Sequence, residues 1–182
     1  MSSGDKVGCL LFNDKAGEYV KPGIGRRHFF RLIENITNPN NYGDKASSLE
    51  AAFDFIINYF SKAINSVVII SDFLKLDKKH EKQLSLISHK FETVALMVRD
   101  PLDITLPDIS EEVVIEDPKT GQQLLINPKV AKFNYEKIAS AQEHLVKELC
   151  LKNRIDLLEL KTEKSFVPTL AEFLKGRIQG EK

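Results

Sequence analysis

The sequence predicts an α/β sandwich built on a mostly parallel sheet. Two observations lead there. Apolar runs of strand length alternate with stretches whose apolar residues recur at helical spacing. The run Val67–Ile70 is also continuous rather than alternating, the pattern of a strand covered on both faces, and Val94–Val98 is another apolar strand. At 182 residues, with no low-complexity tract or long linker, the chain reads as one domain over 1–182.

The elements follow in order. Val7–Phe12 is a short apolar strand, Asn13–Gly17 a turn, and Glu18–Lys21 its hairpin partner. PGIG at 22–25 breaks the chain. Phe29, Leu32, Ile33 and Ile36 then sit at i, i+3, i+4 and i+7 of a helix, whose first turn carries Arg26, Arg27 and His28. Positive charge is the wrong sign for a helix start.

After a polar loop, a second helix opens at Ser47 or Ser48 and carries Leu49, Ala52, Phe53, Ile56, Phe60 and Ala63 on one face. Asp77–Lys90 is a further amphipathic helix. Val113–Glu116 and Gln122–Ile126 flank DPKTG as a hairpin. Asn127 caps, and Pro128 opens, a helix with the stripe Ile138, Ala141, Leu145 and Leu149. Ile155–Leu160 is the last strand, and a helix from Pro168 is expected to bury Leu170, Phe173 and Leu174.

Composition excludes several classes. Lys+Arg and Asp+Glu both number 26, so no global field draws the chain to nucleic acid or anionic lipid. Cys9 and Cys150 are too few for a disulfide framework or a zinc site and read as buried small hydrophobes. No apolar run approaches the ~20 residues that span a bilayer. MSSGDKVG lacks the features of a signal peptide, so the cytoplasm is the expected location.

In parallel sheets, ligands sit outside the carboxyl ends of the strands. Asp72, directly after SVVIIS, lies at such a position and is a candidate metal ligand; a turn or helix-capping role is its structural counterpart. Ser47-Ser48-Leu49-Glu50 fits a capping box. Lys21, Arg26, Arg27, His28 and Arg31 form a basic cluster suited to a phosphate or an acidic partner surface, against the alternative of a solvated helix start. PGIG lacks the G-K-[ST] ending of a phosphate loop. His80, His89 and His144 are scattered and read as surface residues.

Three colinear stretches carry a resemblance. They are DKVGCLLFND…EYVKPGIGRRHFFRLI at 5–33, SSLEAAFDFI at 47–56 with SVVIISDF at 66–73, and VRDPLDITLPD at 98–108 followed by VVIEDPKTGQQLLI. Their order and spacing resemble the bacterial domain-of-unknown-function 58 family, whose members carry a von Willebrand factor type A-like domain and are commonly encoded beside MoxR-type AAA+ ATPases. The resemblance implies a three-layer von Willebrand A-like sandwich in which a divalent ion is held at the carboxyl edge by a DxSxS motif, a Thr and an Asp. Asp72 matches the last position and Ser47 the Thr position. The DxSxS segment has no counterpart here, so the expected fold lacks the first central strand and its helix. The cation site, with Mg²⁺ as its ion, is expected to be degenerate and weak or absent. Val7–Phe12 and Val67–Ile70, which would flank the missing strand, are expected to close on one another or to be bridged by a second copy as a homodimer.

The reading that follows is a non-enzymatic protein-interaction module, an adaptor for a MoxR-type AAA+ ATPase in chaperone-like assembly. Arg26, Arg27 and Arg31 would serve partner binding, with no nucleic acid and no membrane insertion. The alternatives are a metal-dependent phosphoryl-transfer or hydrolytic enzyme using Asp72, and a truncated product without independent activity.

Overall fold

The computed structural model describes residues 4–42, 48–116 and 121–179. The chain falls into two compact units that divide between Tyr59 and Phe60.

In the first unit, β1 (Val7–Phe12) and β2 (Ala16–Gly23) form an antiparallel hairpin with Cys9 opposite Val20 and Leu10 opposite Tyr19. Pro22 and Gly23 belong to β2, so the predicted break falls later, at Gly25, whose φ of 87° favours glycine. α1 (Arg26–Thr37) and α2 (Leu49–Tyr59) both pack on the hairpin. The core is Val20, Leu32, Leu49, Ala52, Phe53 and Ile56. Ser48 caps α2, its Oγ accepting from the Ala51 N–H at 3.2 Å. α2 stops at Tyr59, so Phe60 and Ala63 are not on it.

In the second unit, β3 (Ser66–Ser71), β4 (Glu92–Arg99) and β7 (Asp156–Lys161) form a parallel sheet in the order β3-β4-β7. This is the mixed α/β architecture the sequence predicts. A 3-10 turn at Lys78–His80 and α3 (Glu81–Lys90) connect β3 to β4. The connection from β4 to β7 runs through the hairpin of β5 (Val113–Glu116) and β6 (Gln123–Ile126), then α4 (Pro128–Lys152), which Asn127 caps as expected. Most of the hairpin turn, residues 117–120, lies outside the described residues. α5 (Phe166–Gln179) closes the unit.

The register fixes which side chains share a face. Val67, Ile69, Ala95, Met97, Arg99 and Glu159 point to one side, where α4 lies, because Lys147 reaches Glu159 at 2.7 Å. Asp156 and Glu92 point to the other side, where Arg177 of α5 binds both. β4 is central and buried on both faces from Thr93 to Met97.

Four expectations change. β3 is covered on one face only: Val67 and Ile69 are buried, whereas Val68 and Ile70 are 55% and 58% exposed, because α5 contacts β7. Val7–Phe12 takes β2 as its ladder partner and Val67–Ile70 takes β4, each within its own unit. A short turn closes a hairpin at far lower entropic cost than a distant strand pair. On α4 only Leu149 of the predicted stripe is buried, joined by Val146 and Cys150, and Ile138 is exposed. α5 buries none of its described side chains fully, and Leu174 is exposed. His80 also departs from the surface role expected of it. It is buried, and its Nδ1 accepts from the Asp77 N–H at 3.1 Å in a capping box.

Candidate functional site

The carboxyl edge of the three-stranded sheet is where the sequence places the chemistry. Three strand ends meet there: Ser71-Asp72 after β3, Arg99-Asp100 after β4, and Lys161-Thr162 after β7.

Asp72 is exposed, and its carboxylate is engaged in a turn. Oδ1 accepts from the Leu74 N–H at 3.1 Å and from the Ser71 hydroxyl at 3.4 Å. Ser71 Oγ in turn accepts from the Phe73 N–H at 3.1 Å. These bonds hold Phe73 at φ 52°, which drives its ring into the core at 1% exposure. From α4, Gln142 Nε2 donates to the carbonyls of Phe73 and Leu76 at 2.9 and 2.8 Å and pins the same loop.

After β4, Asp100 and Asp103 form a reciprocal capping box around Pro101. Thr162 ties β7 to this turn twice: its hydroxyl donates to Asp100 Oδ2 at 2.9 Å, and its N–H to the Arg99 carbonyl at 3.0 Å. Each acid near the edge thus serves the backbone. Among the described residues no group of three or more His, Cys, Asp or Glu side chains converges as a metal site. Ser47 lies outside the described residues, so Asp72 is the described member of the expected pair.

Two further residues at this edge are not among the sequence's site candidates. One is Gln142. The other is Arg99, which is 5% exposed, with one terminal guanidinium nitrogen, Nη2, that is buried and has no hydrogen-bond partner. Nearby, Lys147 donates to Glu143 at 2.6 Å and holds that carboxyl below its ordinary pKa, with the Arg99 charge adding to the effect. Burial, reinforced by Asp103, raises the pKa of Tyr135, while Arg99 opposes it. A guanidinium nitrogen left without a partner in this way costs desolvation without full repayment. Arg99→Met keeps the apolar stem and removes that cost, and Glu143 retains Lys147. The variant is therefore expected to be neutral or more stable by up to about 2 kcal/mol in urea unfolding. A loss above about 1 kcal/mol would show that the guanidinium has a partner in solution.

The basic cluster lies in the first unit. Arg26, Arg27 and Arg31 are exposed along α1, Arg26 stacks over the Phe30 ring at 5.6 Å, and Gly25 offers the helix start no side-chain cap. Arg31 borders an open polar depression with Glu18, Tyr19, Glu34 and Asn35.

The profile of the family described as Protein of unknown function DUF58 matches residues 1–145. The chain belongs to the DUF58 family. An uncharacterized protein of Mycobacterium tuberculosis is 27% identical over 180 residues, covering 97% of this chain and 56% of its own length. An uncharacterized protein of Mycobacterium avium is 29% identical over 140 residues, covering 76% of this chain and 78% of its own. The DUF58 chain thus spans about half the length of the M. tuberculosis relative. Among solved structures, BatB from Bacteroides thetaiotaomicron aligns with a TM-score of 0.49 at 10% identity, over 98% of this chain and 81% of that one. An aerotolerance-related membrane protein from Bacteroides fragilis aligns with a TM-score of 0.40 at 14% identity, over 79% and 78%. Among the described residues, no helix of the DUF58 chain is long and apolar enough to cross a membrane.

Proposed function

We propose that this DUF58 chain is a non-enzymatic protein-interaction module that works in the cytoplasm as an adaptor for a MoxR-type AAA+ ATPase in chaperone-like assembly. The observation that supports the reading is the open side of the parallel sheet. β3 is an edge strand whose outward side chains, Val68 and Ile70, stand more than half exposed. An exposed apolar face on a terminal strand offers a partner a surface to cover, and the strand's outer backbone edge offers a ladder to extend. A partner segment, or a second copy of the chain, would cover it. The choice of a MoxR-type ATPase as partner rests on the family resemblance carried by the motifs. Asp72 would add at most a weak Mg²⁺ contact that an acidic partner group completes.

The test mixes the purified chain with the MoxR-type ATPase of the same organism and follows co-sedimentation and ATP hydrolysis. Association is expected, and Val68→Lys with Ile70→Lys should weaken it at least about tenfold, since each buries a charge where an apolar contact stood. Failure of the unsubstituted chain to associate would overturn the adaptor assignment. A dimer seen by light scattering that the same substitutions dissolve would assign the open edge to a second copy.

A further inference from the structure

We propose that α5 is a displaceable strap over the partner-binding face of the parallel sheet. The inference rests on the interaction-module reading and supplies the regulation of that surface.

The bare part of the sheet is one end of a larger apolar face. Val68 lies beside Val94, and Ile70 lies beside Leu96 and, across it, Leu158. Residues opposite one another in register share a face. Val68 and Ile70 are exposed, whereas Val94 and Leu96 are buried. α5 reaches this side of the sheet, where Arg177 bonds Glu92 of β4 and Asp156 of β7. A helix about 10 Å across spans roughly two strands spaced about 4.8 Å apart, which leaves the row on β3 open.

Size decides what a partner must do here. A stable protein interface takes about 800 Å² from each side. Two side chains on one strand fall far short of that, and the apolar rows that adjoin them lie beneath α5. A partner that binds this face gains area by moving the helix aside. The attachment of α5 suits displacement. Leu170, Phe173 and Arg177, at i, i+3 and i+7, are half-buried along one narrow line, and no described side chain of the helix is fully buried. Arg177 does double duty on that line, with its guanidinium 5.8 Å from the Phe173 ring while it bonds the two carboxylates. Ion pairs to carboxylates that stand open to water contribute little apiece. Elements held in this way open locally at low cost while the core beneath stays folded.

Hydrogen exchange read by mass spectrometry tests the strap on the full chain, with a dye that fluoresces on apolar surface as a second readout. Arg177→Met is expected to speed exchange in α5 at least about tenfold and to raise the dye signal, while β4 keeps its protection. Glu92→Gln with Asp156→Asn removes the same bridge from the sheet side and should reproduce both effects. Arg177→Met should also bind the MoxR-type ATPase of the same organism at least about tenfold more tightly than the unsubstituted chain, because the open form no longer has to be selected. In the unsubstituted chain, α5 should lose protection on association. An α5 that opens only together with β4, that keeps or gains protection in the complex, or whose loosening weakens association would overturn the proposal. A chain that does not associate with the ATPase overturns the adaptor assignment alone. In that case opening of α5 ahead of β4 upholds the strap, and joint opening overturns it.

Discussion

Gly8→Ala is expected to break the first hairpin and cost its unit about 3 kcal/mol, at the upper end of ordinary overpacking. A Cβ at this position would lie 2.7 Å from the Val20 carbonyl oxygen, 2.9 Å from the Pro22 nitrogen and 3.0 Å from Pro22 Cδ. None of these atoms can swing aside as the end of a long side chain could, because two are backbone and the third is locked in a ring. Relief requires β1 and β2 to part, and with them the surface on which α1 and α2 pack. Thermal unfolding followed by near- and far-ultraviolet circular dichroism should show an earlier loss of this unit's signal. An unchanged midpoint would mean that the ladder around the irregularity between Val7 and Cys9 has slack to spare.

Gln142→Leu is expected to lower the stability of the second unit by about 2–3 kcal/mol. The change keeps the bulk and removes both donors to the loop after β3. The Phe73 carbonyl retains the Leu76 N–H at 3.1 Å, so the heavier loss falls on the Leu76 carbonyl. Gln142→Glu separates hydrogen bonding from packing. At neutral pH its carboxylate would face two carbonyl oxygens and cost at least as much as leucine. Such a carboxyl would have a folded-state pKa above its unfolded value, because the protonated form alone can donate. Its deficit should therefore shrink as the pH falls through the folded pKa. Equal stability of the Leu, Glu and unsubstituted forms in urea titrations would remove Gln142 from the account of how the Asp72 loop is held.

The existence and type of each strand and α-helix were legible in the sequence because each carries a local signal, whereas the 3-10 turn at Lys78–His80 was read as part of the helix that follows it. Asn127-Pro128 marks a helix start by capping chemistry alone, and α4 opens there. The apolar runs mark β3 and β4 by composition alone. Coverage was not legible in the same way. Val68, Ile138 and Leu174 are as apolar as buried residues but exposed, because which face receives a helix is decided by the packing of other elements. Asp72 was found because it follows a strand, and its turn role was among the readings weighed. Arg99 and Gln142 were not found. An arginine closing a strand and a glutamine within a helix are ordinary in sequence, and only the register and the loop geometry give them their positions. His80 was misjudged for a related reason: a histidine that caps a turn through Nδ1 looks, in one dimension, like any surface histidine.

Arg177 is less than a quarter exposed, and its two terminal nitrogens grip Asp156 at the start of β7 and Glu92 at the start of β4. Because none of the described side chains of α5 is fully buried, this double clasp is a main anchor of the chain's last helix. Added salt weakens an anchor of that kind while leaving an oily one untouched. The docking of α5 is therefore sensitive to its ionic surroundings. Its release would bare the side of the central strand that carries Val94 and Leu96, turning a closed surface into a sticky one without disturbing the ladder beneath.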